Sequence, residues 1–118
     1  MAKRRMVVEM GMGTDLQGQD YTKAAVRAVK DALWHNSLTI APAFGFDKEK
    51  MLIEVSIGVA KPEQVDKEAV KAVFPYGQAS VEVVQGGLDI LSDCGTKTTV
   101  MANAAAVVYL DFAEESLV

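Results

Sequence analysis

The residues best suited to chemistry lie in one short connection, GMGTDLQGQD, at positions 11–20. Its candidate residues are three glycines, two carboxylates and an amide: Gly11, Gly13, Asp15, Gln17, Gly18 and Asp20. A glycine-rich turn before a helix N-terminus offers free backbone N–H groups and partial positive charge, which suit an anionic ligand group. Asp15 would exchange a proton or orient the ligand, and Gln17 would contact it by hydrogen bonds. The alternative is a turn that uses Asp and Gly only for backbone geometry.

Two further carboxylates are singled out by an internal repeat. The strand-like sequence MVVEMGMG at 6–13 returns as MLIEVSIG at 51–58, and the helical KAAVRAV at 23–29 returns as KEAVKAV at 67–73. The repeat, spanning 6–29 and 51–73, predicts that Glu9 and Glu54 lie at equivalent positions on neighbouring strands and point away from the helices. In a partly dry interface they would form an acid/base pair or a cation site. Alternatively, each bonds to groups of a neighbouring subunit.

Three other reactive side chains carry weaker signals. His35 is the only histidine, so a zinc site is not expected, and a role at a helix terminus is the simpler interpretation. Cys94 lies in a polar loop where a reactive thiol is one interpretation and a plain loop residue the other. Lys61 is expected to be an exposed loop lysine. The sequence predicts no metal site and identifies no cofactor.

Alternating apolar residues predict a strand in each copy of the repeat. The core-facing side would alternate with Glu9 and Glu54 and consist of Met6, Val8, Met10, Met12, Met51, Ile53, Val55, Ile57 and Val59. Further strands are predicted at residues 37–44, 79–85 and 98–112. The glycine pair at 86–87 would open a loop that extends to residue 95, with one helical turn at 88–91.

Each predicted helix has recognisable end signals. Asp20 is a plausible N-cap for the first helix, and Asn36 can close its C-terminus. Asp66 can cap the second helix, which must end near Phe74 because Pro75 follows. The predicted buried stripes are Ala25, Ala28, Val29, Ala32 and Leu33 in the first helix, and Ala69, Val70 and Val73 in the second.

The order of elements, βαβ-βαβ-β, predicts an α+β fold: a ferredoxin-like two-layer sandwich with both helices on one sheet face. The other face would carry Val7, Glu9, Leu52, Glu54 and Ser56. A face of apolar and carboxylate side chains is poor solvent surface, so we expect it to pack against another subunit.

Composition narrows the class of protein. The chain has 118 residues, and we expect residues 1–118 to form a single domain. The formal net charge of −4 argues against nucleic acid or an anionic membrane surface as partner. No signal-peptide core is visible, and no apolar run approaches the roughly 20 residues needed to cross a bilayer. A single cysteine and no secretion signal predict a cytoplasmic location.

The stretch GMGTDLQG resembles the hallmark GxGxDxHG of the listerial-type family of conserved hypothetical proteins. The resemblance also covers IEVSIGVAKPEQVD, FPYG and VVQGGLDIL. Gln17 stands where the family has histidine, and glutamine neither titrates nor ligates metals well. The resemblance therefore implies an altered site if that histidine is functional. More distantly, the order of elements is similar to bacillus-type chorismate mutases and imine deaminases, which implies a trimer, or a multiple of one, with sites between subunits.

Two functions remain open from the sequence. One is an oligomer that binds or transforms a small polar or anionic metabolite at a subunit boundary, using the Gly11–Gly18 loop, Asp15, Gln17 and either Glu9 or Glu54. The other is a non-catalytic, ring-forming structural or ligand-sensing protein in which the loop only shapes the interface.

Overall fold

The computed structural model describes residues 3–34 and 40–112. Its strands are β1 (Lys3–Asp15), β2 (Leu52–Val59), β3 (Gln78–Gln85), β4 (Leu88–Leu91) and β5 (Thr98–Asp111). Its helices are α1 (Tyr21–Trp34), α2 (Ile40–Ala43) and α3 (Lys67–Lys71), with 3-10 turns at Lys48–Lys50 and Pro62–Gln64. The predicted α+β class is confirmed. Among the described residues, no helix is long and apolar enough to cross a membrane.

The sheet is organised around β5, its longest strand. β1 pairs antiparallel along one side of β5, while β2 and β4 pair antiparallel with the other side, one after the other along its length. β3 lies outside β2 and runs parallel to it. The resulting order is β1-β5-β2-β3, with β4 also beside β5. The two strands of the sequence repeat, β1 and β2, are therefore separated by β5.

Three glycines let the chain pass from β3 to β4 across the end of β2. A Cβ added at Gly86 would lie 3.2 Å from the Cα of Gly58, and one added at Gly87 would lie 2.2 Å from the carbonyl oxygen of Met101. Gly87 also has a φ of +61°, which glycine adopts readily. The crossing brings Leu88 opposite Met101, so the predicted helical turn at 88–91 is wrong. Residues of alternating polarity there form strand β4 instead.

The predicted strand at 37–44 is also wrong where the structure describes it. Ile40–Ala43 forms the short helix α2, and the buried Ala41 packs into the core with the nearby Phe46. Residues 37–39 lie outside the described residues, as does the predicted C-terminal Asn36.

Both predicted helix starts have the expected capping bonds. The Asp20 carboxylate accepts a hydrogen bond from the Lys23 N–H at 3.0 Å, and the Asp66 carboxylate accepts one from the Glu68 N–H at 3.0 Å. The second helix is shorter than predicted, because α3 ends at Lys71 rather than near Phe74. Val70 is its buried residue, while Ala69 and Val73 are half-buried.

In β2 the predicted alternation is confirmed: Ile53, Val55, Ile57 and Val59 are buried, and Glu54 is exposed. In β1 it is wrong. Val8, Met10 and Met12 are 46%, 70% and 55% exposed, whereas Glu9 is 3% exposed. Met6, also predicted to face the core, is only half-buried and lies at a register irregularity between Arg5 and Val7.

The close approach of α1 explains the reversed faces of β1. A Cβ added at Gly11 would lie 2.3 Å from the backbone nitrogen of Ala32, and one added at Gly13 would lie 2.3 Å from that of Ala28. Only glycine fits at these two inward positions. Side chains alternate between the two faces of a strand. Because these glycines face α1, the intervening methionines face the opposite side of the sheet.

We call the sheet face opposite the described helices the open face. The register places the following apolar side chains on it: Val8, Met10, Met12, Leu52, Val84, Leu88, Ile90, Met101 and Val107. Glu54 and Ser56 lie there too, as predicted, but Val7 and Glu9 face the helices instead. The open face is therefore more apolar than the sequence suggested.

Candidate functional site

The Asp15 carboxylate organises the loop between β1 and α1. Asp15 is 6% exposed and lies on the helix side of the sheet, opposite the buried Val100. One of its oxygens accepts a hydrogen bond from the Asp20 N–H at 2.9 Å. The other lies 3.5 Å from the guanidinium of Arg27, which also donates to the Thr14 carbonyl at 2.7 Å. Both oxygens of Asp15 are thus engaged by the protein itself.

The rest of the loop closes around this carboxylate. A Cβ added at Gly18 would lie 2.9 Å from the Asp15 Oδ2, so glycine leaves room for it. The Leu16 carbonyl accepts a hydrogen bond from the Thr99 hydroxyl at 3.1 Å, which ties the loop to β5. Leu16 is 64% exposed and Gln17 is exposed. The Gln17 side chain makes no hydrogen bond within the described part of the chain, so it is available to a ligand or a partner.

The predicted pairing of Glu9 with Glu54 is wrong. β5 separates their strands, and Glu9 faces the helices whereas Glu54 faces the other way. Glu54 instead accepts a hydrogen bond from the Lys3 ammonium at 2.7 Å, and this bond is the main cause of the raised pKa of Lys3. The Glu9 Oε1 is buried and has no hydrogen-bond partner among residues 3–34 and 40–112. The two carboxylates cannot share a proton or a cation.

A different pair of polar side chains lies near Asp15. Asp89 in β4 is, like Asp15, opposite Val100, so the two carboxylates lie in one row on the helix side of the sheet. Tyr21, the first residue of α1, is 2% exposed and its hydroxyl donates to Asp89. Burial raises the pKa of Tyr21, and the hydrogen bond to Asp89 raises it further. The phenol therefore stays protonated and fixes the orientation of Asp89.

The second oxygen of Asp89 is a buried acceptor in this row. Oδ1 is buried and has no hydrogen-bond partner within the described ranges. Such an acceptor is costly unless an N–H or O–H donor reaches it. Sequence reasoning missed both Tyr21 and Asp89. The usable signal was the alternation of Leu88, Asp89 and Ile90, which fits a strand with its polar residue facing inward.

The other reactive side chains singled out from the sequence include His35 and Cys94. No group of three or more His, Cys, Asp or Glu side chains able to hold a metal ion occurs in the part of the chain that the structure describes, and His35 lies outside it. Cys94 is exposed, and its sulfur lies 2.8 Å from the Thr96 hydroxyl and 3.4 Å from the Ser92 hydroxyl. Hydrogen bonds from Ser92 and Thr96 lower the pKa of Cys94 to about 7.

The described residues form a small mixed α+β protein with a glycine-rich first loop. The chain matches the model of the conserved hypothetical protein family Lin0512 over residues 5–109 and belongs to that family. The predicted family resemblance is confirmed. A crystal structure of an FtsZ-like protein of unknown function from Nostoc punctiforme is similar, with 37% identity and a TM-score of 0.85 over 94% of this chain and 98% of that one. No curated protein matches.

Proposed function

We propose that the protein is a non-catalytic, ring-forming structural protein that self-associates through the open face. The observation that carries this proposal is the exposure of Met10, Met12 and Ile90, at 70%, 55% and 55%, on that face. Contiguous apolar surface of this kind marks interaction sites in folded proteins. Burial of such surface gains roughly 25 cal/mol per Å². The open faces of further copies of the chain, arranged around a common axis, supply the matching apolar surface.

The edge of the sheet at β1 is less suited to association than the face. The Met12 N–H donates to the Asp31 carboxylate at 2.9 Å, and the Thr14 carbonyl accepts from Arg27. Side chains of α1 therefore occupy backbone groups that an added strand would need. Covering an edge in this way prevents strand addition. Stacking of open faces is the association that leaves these bonds intact.

The proposed assembly is a trimer or a multiple of one. It is supported by the mixed α+β fold with one open sheet face, and by the distant likeness to chorismate-mutase-type trimers that the order of elements predicts, an analogy of fold alone. In this arrangement the loop at Gly11–Gly18 shapes the subunit border. Leu16 and Gln17 project outward there, and the Leu16 carbonyl is held by Thr99, whose neighbours Met101 and Ile90 belong to the open face.

Light scattering coupled to size exclusion tests self-association. We expect a mass that is a multiple of the 12.7 kDa chain at micromolar concentration. Met10→Glu places a charge in the open face and should reduce the mass at the same concentration. Gln64→Glu is the matched control, since it adds one negative charge at an exposed position outside that face. A monomeric wild type, or equal masses for all three proteins, would contradict the proposal.

A second candidate function is binding, or transformation, of a small polar metabolite at the same end of the sheet. The observation favouring it is the buried, unpartnered Oδ1 of Asp89 beside the protonated phenol of Tyr21. A ligand hydroxyl or ammonium would satisfy that oxygen, while Gln17 would add a hydrogen bond. Asp15 contributes only by holding the loop, because its oxygens are already engaged.

A thermal-shift screen of polar metabolites separates the two candidates. Shifts that vanish in Asp89→Asn but persist in Gln17→Ala would place the ligand at Asp89. Shifts that vanish in both variants would extend the site to the loop. The absence of any ligand-induced shift in the wild type would leave Tyr21 and Asp89 as a structural pair.

A further inference from the structure

The other end of β1 contains a pocket that none of the predicted site residues lines. Its volume is about 500 Å³, and it is lined by Arg4, Arg5, Met6, Phe44 and Phe112. Arg5 and Asp15 are ten positions apart in β1, which corresponds to roughly 30 Å along a strand. We propose that this pocket binds a small organic anion with an apolar body, such as an aromatic carboxylate or an aryl phosphate.

The two arginines supply the charge for an anionic group. Both are exposed, and neither forms an ion pair with another described residue. Nearby Lys3, in contrast, is bonded to Glu54, and Arg27 is close to Asp15. A guanidinium group presents planar N–H donors that match a carboxylate or a phosphate. Two such groups at one pocket favour an anion over a neutral or cationic ligand.

Two consecutive arginines line this pocket at the edge of the sheet. In a regular strand, Arg4 and Arg5 would project to opposite faces of the sheet. Arg4 and Arg5 pair in regular register with Leu110 and Tyr109, and the register of β1 becomes irregular only between Arg5 and Val7. Because β1 is an edge strand, both side chains can reach the same pocket from the sheet border.

The aromatic side of the pocket is anchored in the core. The rings of Phe44 and Phe112 pack edge to face with centroids 5.6 Å apart. Phe112 makes a second edge-to-face contact, at 5.3 Å, with Phe46, which is 6% exposed. Phe44 nevertheless remains 51% exposed, so its ring offers a free surface to a ligand. The size of the pocket lies within the usual range for small-molecule sites.

Titration with 2-naphthoate and its neutral analogue 2-naphthalenemethanol tests the pocket, with 2-naphthyl phosphate as a second anion. We expect saturable naphthoate binding, with the alcohol about tenfold weaker or more. The double substitution Arg4→Gln/Arg5→Gln should weaken both anions about tenfold or more and leave the alcohol unchanged. Tighter binding of the phosphate than of the carboxylate would identify a phosphate ester as the preferred class, and the reverse a carboxylate.

Lys3→Gln is the matched control, because it removes a positive charge from the same strand outside the pocket. It should leave naphthoate binding unchanged, and Phe44→Ala should weaken the anions and the alcohol together. Amide NMR shifts should cluster around Phe44 and Phe112. No saturation by either anion up to about 10 mM would overturn the proposal. Equal weakening by Lys3→Gln and the double substitution, or shifts confined to the open face, would also overturn it.

Discussion

Replacing Gly13 with alanine tests the close contact between α1 and β1 directly. The added Cβ would lie 2.3 Å from the Ala28 nitrogen and 2.4 Å from the Ala24 carbonyl oxygen, whereas ordinary contacts of a Cβ begin near 3.4 Å. The shortfall is about 1 Å. The atoms that the added Cβ would meet belong to the backbone of α1, and a backbone cannot rotate away as a side chain can. The helix must therefore shift away from the sheet.

The expected loss of stability in Gly13→Ala follows from two opposing contributions to the free energy of unfolding. Forcing an additional methyl group into a packed core costs about 1–3 kcal/mol, and more when backbone must move. Alanine restricts the unfolded chain and offsets about 0.4–1 kcal/mol of this. We therefore expect Gly13→Ala to lower the free energy of unfolding by about 2 kcal/mol or more, or roughly 10 °C in Tm for a chain of this size. Gly11→Ala should behave similarly, because its Cβ would lie 2.3 Å from the Ala32 nitrogen.

Gly58→Ala is the matched control for this experiment. Gly58 also lies within a strand, but its added Cβ would be 3.4 Å from the nearest atom, the Cα of Gly86. Its effect should stay within about 1 kcal/mol. Urea unfolding followed by circular dichroism at one fixed protein concentration measures all three variants. A Gly13→Ala protein as stable as wild type would refute the close-packing argument. Equal losses for Gly13→Ala and Gly58→Ala would attribute the effect to strand glycines in general.

Three further predictions concern individual side chains. The pKa of Tyr21 in the folded protein is raised above the ordinary value of 10.0. The stabilisation from its protonated form is therefore complete below pH 10 and is lost as the pH rises through the folded-state pKa. Tyr21→Phe should reduce this alkaline loss of stability in urea-unfolding measurements. Alkylation of Cys94 by iodoacetamide should be half-maximal near pH 7, and Thr96→Ala should move that midpoint upward; an unchanged midpoint would contradict the hydrogen-bond explanation. Gln17→His should leave the unfolding curve unchanged because position 17 is exposed, and NMR should detect an imidazole titrating between roughly pH 5 and 8.

Much of the fold was predictable from local patterns. The periodicity of β2 and the capping residues Asp20 and Asp66 depend on near neighbours in sequence, and the structure confirms them. The helix at Ile40–Ala43 and the strand at Leu88–Leu91 were missed. Short segments carry little periodicity, and tertiary contacts decide their conformation. In β4 the decisive contact is the pairing with β5, ten residues farther along the chain.

The prediction from sequence that differed most from the structure concerned which face of β1 is buried. Four alternating apolar residues from Met6 to Met12 indicated an inward side, and the sequence repeat with β2 reinforced that interpretation. The pattern could not reveal that an alanine-rich helix would lie against Gly11 and Gly13. Backbone contact with α1 displaced the larger side chains to the open face. Since a strand has a period of two, that one requirement also turned Glu9 inward and removed the predicted pair with Glu54.

The first-loop residues that resemble the GxGxDxHG pattern have separate physical roles. Gly11 and Gly13 admit α1, Asp15 closes the loop through the Asp20 N–H, and Gly18 leaves space for the Asp15 carboxylate. These four positions are explained by folding alone, without a ligand. The described contacts do not explain Gln17, whose side chain is exposed. A functional role for the loop is therefore to be tested at Gln17, and separately at the buried acceptor of Asp89, rather than at Asp15.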